Sequence, residues 1–370
     1  MQIEIYSCKQ GKDGFLITVR ENPFYIDGKG GQLGDRGCVG TAKVLAVNAE
    51  GILITEALAP GFYDFEIDEA RRVDIAENHT AQHLFSGLAW KNFGLETVGF
   101  RMGENFTTVD FSTRDIPEET VRTLEWQTND AIRAAIPVTT RILPHEEALA
   151  AEGLRRAIKD KVTGDVRFVA IGDIDLSACA GFHTENTKDI RLLKVLQREN
   201  IHGETSRFYL LAGKRAISDY FEKHEILRDI CHQFSCREKE AQTFIEKALT
   251  EKKNNESELR LLADRYAELL AAKLKKDAHE DGAPALLFYK EIPTAAFYLG
   301  KYVDLANTVL VTGVGDSYTI QSTCRDCKDM VRRLCQADSR IKGGGNAVRG
   351  NFKAPVGEKE LLDLLKSVLK

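Results

Sequence analysis

The residues best able to do chemistry are split across the middle of the chain. One group is His79-Thr80-Ala81-Gln82-His83, and the other, about a hundred residues later, is Cys179-Ala180-Gly181-Phe182-His183. Histidines four residues apart on a helix share a face, with Cβ atoms about 5–6 Å apart, so both imidazoles can reach one ion. The local pattern is helical, since Ala81, Leu84, Phe85 and Leu88 recur as i, i+3, i+4 and i+7. Asn78 is placed to cap this helix and Gly94 to stop it. Cys179 and His183 repeat the four-residue offset and add a soft thiolate. A Cys/His set without a carboxylate suits zinc better than calcium or magnesium. The expected metal ligands are therefore His79, His83, Cys179 and His183, with Zn2+ as the cofactor. Each pair alone is weak, because two histidines often share a helix face. Their joint occurrence specifies zinc but no reaction.

The elements that must position these groups follow from local patterns. Residues 1–70 carry short β-branched runs (Phe15–Val19, Ala42–Val47, Gly51–Thr55) punctuated by Gly, Asn and Asp, and so predict a small β-barrel. Between them, Asn22 to Asp35 holds Gly28, Gly30, Gly31 and Gly34. On composition this is an ordinary hairpin loop. Phosphate cradling is the alternative, although neither common phosphate-loop pattern is present. Residues 71–212 alternate helices and strands and predict an α+β domain. Its expected elements are a strand Phe106–Phe111, a helix after Pro117, a strand Val138–Ile142, a helix Glu146–Ala157, a strand Val166–Ile171, and runs at Leu192–Gln197 and Arg207–Leu211. Residues 213–282 lack Gly and Pro from Lys214 to Asp281 and read as two amphipathic helices forming a long arm. The polar run Thr250–Glu256 marks the break between them. The arm is a spacer or a dimerisation element.

Gly282-Ala283-Pro284 punctuates the start of a C-terminal α/β domain, residues 283–370. Expected strands are Ala285–Tyr289, Ala296–Leu299, Val309–Val311 and Tyr318–Gln321, with helices near Met330–Leu334 and Leu361–Leu369. The loop Gly343-Gly344-Gly345-Asn346 is flanked by Arg340, Lys342, Arg349 and Lys353. Exposed amides beside cations suit a phosphate backbone, and a solvated surface fits equally well. Cys324-x-x-Cys327 is a lone pair, and Cys231 and Cys236 read as packing residues of the arm. His145, His202, His224, His232 and His279 form no comparable pair.

Composition bounds the class. A chain of 370 residues with 43% hydrophobic and 29% charged residues reads as globular with two to four domains. A net charge of −5 argues against blanket nucleic-acid affinity but permits a local basic patch. Residues 331–370 form one, with nine Lys/Arg against four Asp/Glu. No apolar run spans a membrane, the first residues lack a signal-peptide layout, and scattered cysteines read as free thiols or ligands. The expectation is a cytoplasmic protein.

HTAQH followed by CAGFH resembles the editing domain of alanyl-tRNA synthetases and of the freestanding alanyl-tRNA editing proteins (AlaX type, long form). Asn22-Pro23-Phe24-Tyr25 through Gly30-Gly31-Gln32 and Gly34-Asp35-Arg36-Gly37 is similar to that family's glycine-rich barrel segment. Val169 to Asp173 resembles its approach to the second ligand pair, and Thr187 and Ile190 fall at motif positions. Phe208 to Gly213 with Arg215-Ala216 resembles the end of the editing domain. The arm and glycine loop resemble the synthetase's C-terminal domain, which is shared with DHH-type phosphoesterases. Ala180, Phe182 and Thr184 depart from the Gly, Thr and Val that the family often has around the second pair.

The resemblance implies trans-editing, the hydrolysis of the ester joining a wrong amino acid to tRNA(Ala), with serine first and glycine second. Too few residues precede His79 for an amino-acid-activating domain beside the barrel. The resemblance also implicates Gly30 and Gly31, with Gln32 beside them, in substrate binding, while the glycine loop and its flanking cations make Arg340, Lys342, Gly343, Gly344, Arg349 and Lys353 the expected RNA contacts. Gln82 and Thr80, beside the ligands, could orient water or substrate, and helix packing accounts for Thr80 equally well. The partner is tRNA, and the arm or the last domain would carry a homodimer. Four protein ligands fill a tetrahedral site, so a zinc-stabilised tRNA-binding module without activity stays open. A metallopeptidase lacks its H-E-x-x-H glutamate, and a phosphoesterase lacks an Asp/His cluster.

Overall fold

The computed structural model describes residues 1–158, 164–277 and 284–369. It divides into two compact units, Met1–Asp229 and Ile230–Lys370. The first begins with a closed six-stranded barrel: β1 (Gln2–Gln10), β2 (Phe15–Val19), β3 (Gly37–Val39), β4 (Ala42–Asn48), β5 (Gly51–Ile54) and β6 (Gly61–Ile67), in the order β1-β2-β5-β4-β3-β6. Alternation along these strands turns Ile3, Ile5, Ile17, Val44, Val47, Ile52 and Ile54 into the barrel core. Closure through β1–β6 and β3–β6 pairing leaves no free edge to template other chains. The small barrel is as expected, although β1, β3 and β6 were not legible as strands.

Helix α1 (Glu69–Phe93) follows. Asp68 caps it by accepting the Arg71 N–H at 2.9 Å, and Gly94 ends it at φ 65°. Asn78 is therefore not the cap. It lies inside the helix, where its amide donates to the Asp74 carbonyl at 2.8 Å and its Oδ1 accepts the Ala212 N–H. The periodic stripe was only the visible part of a longer helix, and every residue from Ile75 to Ala89 is buried.

Around α1 stand β7 (Thr97–Met102), β8 (Thr107–Phe111), α2 (Glu118–Arg133), β9 (Val138–Leu143), α3 (His145–Leu149), β10 (Val166–Ile171), β11 (Asp175–Ala178), β12 (Leu193–Asn200) and β13 (Ser206–Ala212). They form one sheet of order β12-β13-β8-β7 and another of order β11-β10-β9. Phe85 of α1 packs 5.7 Å from Phe208 and 6.0 Å from Phe111, tying the helix to the larger sheet. The helix expected over Glu146–Ala157 is only α3. Gly153 takes φ 77°, and the Arg155 N–H turns to the Leu176 carbonyl at 3.0 Å, so the chain leaves helical geometry to pair with β11.

The arm consists of α4 (Gly213–Phe234) and α5 (Ala241–Asp277). The break falls at Ser235, at φ 50°, and not at Thr250–Glu256, which lies within α5. Polar residues with good helix propensity continue a helix; a left-handed residue ends one. Cys236 sits in this break, past the end of α4. Gly282, Ala283 and His279 fall outside the described residues.

The second unit continues with β14 (Ala285–Tyr289), α6 (Pro293–Leu299), β15 (Thr308–Val314), β16 (Ser317–Gln321), α7 (Cys327–Ala337), β17 (Lys342–Gly345), β18 (Arg349–Lys353) and α8 (Glu358–Leu369). Its sheet has the order β14-β15-β16-β18-β17, with β14–β15 parallel. Ala296–Leu299 is helical, not a strand, because Pro293 starts a short helix whose Ala295, Ala296 and Leu299 bury together with Ala267 and Ala271 of α5. The glycine loop is also corrected: Lys342–Gly345 is a strand, paired with β18 at Gly343↔Phe352 and Gly345↔Gly350.

Candidate metal centre

α1 presents His79 and His83 from its buried middle, while the turn after β11 presents Cys179 and His183. One donor atom from each of the four lies within 4.8 Å of the others, the only such His/Cys/Asp/Glu group among the described residues. The Cys179 Sγ is 3.5 Å from His79 Nε2 and 3.3 Å from His183 Nε2. Bonds of about 2.3 Å to sulfur and 2.0–2.1 Å to nitrogen at tetrahedral angles put S and N roughly 3.5 Å apart. The donor set therefore fits zinc in both identity and spacing.

Each imidazole is held by its other nitrogen. His79 Nδ1 meets Gln32 Oε1 at 2.9 Å, His83 Nδ1 meets Asp175 Oδ2 at 2.7 Å, and His183 Nδ1 meets Thr80 Oγ1 at 3.2 Å. A proton held on Nδ1 leaves Nε2 free as a ligand. Asp175 is itself fixed by the Arg155 guanidinium and by Ser177 Oγ at 3.1 Å. Arg167 donates to the carbonyls of Cys179 (2.9 Å) and Gly181 (2.8 Å), setting the turn. The Phe100 ring stacks on His79 with centroids 5.2 Å apart.

The electrostatics favour ligand forms. Burial opposes ionisation of Cys179, but hydrogen bonding to His183, His79 and His83 outweighs it and brings the thiol down to about 2. Burial lowers His79 and takes His183 down to about 3, so both are neutral. Burial also opposes the charge on His83, yet the Asp175 carboxylate raises it to about 9, so a metal must displace that proton. His79 and His83 are buried and Cys179 and His183 are half-buried, so the centre opens on the second-pair side.

The other expected site residues distribute unevenly. Gln32 Oε1 also accepts the Phe182 N–H at 2.9 Å, linking the barrel loop to both halves of the motif. Gly30 and Gly31 form a turn with φ of 66° and 80°, and a Cβ on Gly31 would come within 2.7 Å of Phe100. Thr80 touches the centre as the partner of His183, and its Oγ1 also accepts the Thr184 N–H at 3.0 Å. The Gln82 amide instead donates to Ser86 at 2.9 Å, one turn along α1 and away from the ligands. In the second unit, Lys342, Gly343, Arg349 and Lys353 line one cleft of about 650 Å³ with Asn351 and Phe297. Arg340 is spent on Asp338 (2.7 Å) and Glu360 (2.5 Å), and Gly344 lies outside the lining. Asp175, Arg167 and Phe100 were missed in the sequence. Asp175 could have been sought, because a ligating histidine usually needs an acceptor for its second nitrogen and this acid precedes Cys179 by one β-strand.

Residues 166–209, from β10 through the second ligand pair into β13, match the family model described as the threonyl and alanyl tRNA synthetase second additional domain. The match takes in Cys179 and His183 but not His79 and His83 of α1. Among individual relatives, the chain is 27% identical over 228 residues to "Alanyl-tRNA editing protein Aarsd1" of Danio rerio, covering 60% of this chain and 55% of the relative. It is 29% identical over 214 residues to the Mus musculus protein of the same name, covering 56% and 52%. The resemblance to freestanding alanyl-tRNA editing proteins is therefore borne out, and the chain spans about half the length of the curated relatives it matches.

Proposed function

We propose that this protein hydrolyses mischarged tRNA(Ala) in trans in the cytoplasm, with the seryl ester as preferred substrate and the glycyl ester second. The observation that carries the reading is the convergence of both half-motifs on one buried centre in a chain similar to alanyl-tRNA editing proteins. His79, His83, Cys179 and His183 would hold Zn2+. Bound there, zinc supplies Lewis acidity at the ester. The chain's own residues orient the site: Gln32, Asp175 and Thr80 fix the three imidazoles, Arg167 fixes the turn, and the Gly30-Gly31 segment approaches through Gln32. Thr80 is a positioning residue in this reading, and Gln82 has no part in it. Editing answers a physical need, because a pocket for alanine cannot strongly reject a side chain that merely adds a hydroxyl.

The cleft of Lys342, Gly343, Arg349 and Lys353 would hold tRNA phosphates, with Arg340 and Gly344 flanking it. Exposed Leu259, Leu262 and Leu269 form a stripe on α5 that would pair two copies. Among the described residues, no helix is long and apolar enough to cross a membrane. One observation favours a second reading: four donors complete a tetrahedral site, the pattern of structural zinc, which would leave a tRNA-binding module without activity.

Incubation with seryl, glycyl and alanyl esters of the same tRNA separates the two. We expect rapid loss of the seryl ester, slower loss of the glycyl ester, sparing of the alanyl ester, and abolition by chelation or His79→Ala. Persistence of all three esters with zinc-loaded protein overturns the hydrolase reading.

A further inference from the structure

Helix α4 ends in a left-handed turn that carries two cysteines. The Cys236 N–H donates to the Cys231 carbonyl at 3.0 Å and the Ser235 N–H to the His232 carbonyl at 3.3 Å, with Ser235 at φ 50°. This pair of bonds across a left-handed residue is the Schellman closure of a helix C-terminus. In that closure the two residues joined by the longer-range bond turn their side chains onto each other, a contact usually made by apolar groups. Here those residues are Cys231 and Cys236, and their thiols are hydrogen-bonded to each other. Standard bond lengths around the 3.0 Å bond hold the two Cα atoms within about 7 Å, the outer limit for a disulfide.

The surroundings favour reaction over packing. Both cysteines are half-buried, and His232, Gln233 and Ser235 between them are exposed, so reagents reach a pair that fills no core. Burial raises the Cys231 thiol above its ordinary range, and the charge on Cys236, their hydrogen bond and the Glu238 carboxylate add to it. Cys231 thus keeps its proton while Cys236 is ionised, which makes Cys236 the first to attack and Cys231 the second. The other close pair is built differently. Cys327 is fully buried, and its sulfur donates to the Ser322 and Arg325 carbonyls, while Cys324 donates to the Thr308 carbonyl.

We infer that Cys231 and Cys236 form a redox-active dithiol, a modification site at which a low-molecular-weight disulfide such as glutathione disulfide closes an intramolecular disulfide at the α4–α5 break. The Cys236 thiolate attacks one sulfur of the reagent, breaking its S–S bond and releasing a thiolate that takes up a proton. Cys231 gives its proton to water and attacks the Cys236 sulfur of the mixed disulfide. The second reagent thiolate is expelled and protonated in turn. The two protein sulfurs are oxidised, and one reagent disulfide is reduced to two thiols. The new bond pins the left-handed turn that ends α4, and reduction releases it.

Incubating the zinc-loaded full chain with glutathione disulfide, then unfolding, alkylating and digesting it with trypsin, tests the site, because the peptide 229–237 carries both cysteines and no other. We expect that peptide free of alkyl groups and lighter by two hydrogen atoms, and restored to the dithiol by dithiothreitol. Cys231→Ser should instead trap the mixed disulfide, with one glutathione on Cys236. The equilibrium constant for closure should be about tenfold greater in the folded chain than in concentrated urea, where the turn is lost. Hydrogen exchange at the Ser235 and Cys236 amides should slow about tenfold on oxidation of wild type and not respond in Cys231→Ser. A peptide that takes two alkyl groups after the incubation, or two glutathiones without closing, overturns the inference. So does closure no more favourable in the folded chain than in urea. None of these readouts uses ester hydrolysis, so failure of the proposed function leaves the dithiol standing, and failure of the dithiol leaves that function standing.

Discussion

Asp175 takes a hydrogen bond from His83 Nδ1 at 2.7 Å on one oxygen and is gripped on the other by Arg155 and Ser177. It is fully buried, so its charge has no water to fall back on. Asp175→Asn keeps the shape but presents a neutral amide to Arg155, and it can orient His83 only weakly. We expect zinc affinity to fall about 10- to 100-fold, measured by competition with a chromogenic chelator. Asp175→Ala strands the buried guanidinium and should also cost about 3–5 kcal/mol in chemical denaturation. Wild-type zinc affinity in both variants would remove Asp175 from the site. Gly181 gives a second residue-scale test: a Cβ there would lie 2.3 Å from both Gln32 Oε1 and His79 Cε1. Gly181→Ala should therefore push Gln32 off His79 and weaken zinc binding, seen in the same competition assay, whereas Gly344→Ala, in the second unit, meets open space at an ordinary φ and should leave affinity unchanged. The four clustered donors were legible in the sequence because helical spacing encodes a shared face. The groups orienting them were not, because Asp175 reaches His83 across 92 positions and Gln32 reaches His79 across 47, and no local periodicity carries such pairings.

Lys342–Gly345 shows why an element can be misread when its composition argues for a loop. Glycine weakens a strand through backbone entropy, yet here the backbone of β17 lies too close to β18 for side chains at two positions. A Cβ on Gly343 would come within 2.4 Å of the Asn351 carbonyl and of Phe352, and one on Gly345 within 2.3 Å of the Arg349 carbonyl. Gly344 faces open space. Gly343→Val and Gly345→Val should destabilise the second unit by about 1–3 kcal/mol, while Gly344→Ala should be neutral or gain about 0.5–1 kcal/mol. Hydrogen exchange at β18 in the full chain reads this, and equal protection in all three variants would contradict the close approach. The same physics sorts the other elements. β2, β4, β5, β10 and β15 were legible because β-branched runs state their own conformation. The α4–α5 break was not, because a single left-handed Ser235 ends α4 while a seven-residue polar run continues α5. α3 is short because Arg155 pairs with β11, a tertiary bond that outweighs helix propensity.

At the scale of the whole molecule, the four donors and all their orienting partners belong to Met1–Asp229, and none belongs to Ile230–Lys370. A metal held by the four donors would tie the middle of α1 to the turn after β11, segments about a hundred residues apart in sequence, so its binding free energy would become folding free energy of the first unit. A ligand bound only to the native state stabilises by RT ln(1 + [L]/Kd), about 4 kcal/mol at a thousandfold excess over Kd. Removing zinc should therefore lower the unfolding midpoint of the first unit and leave the second untouched. The sequence supplies a selective probe. Its two tryptophans, Trp90 on α1 and Trp126 on α2, both lie in the first unit. Denaturant titration followed by tryptophan fluorescence should shift to lower midpoint on chelation and recover on adding zinc, whereas hydrogen exchange at β15, whose Val309, Leu310 and Val311 are fully buried, should not change. A fluorescence midpoint indifferent to zinc would mean that the four donors do not bind it in the folded chain. A matching loss of protection at β15 would mean that the two units unfold as one, and the separation into units would then fail as a description of their stability.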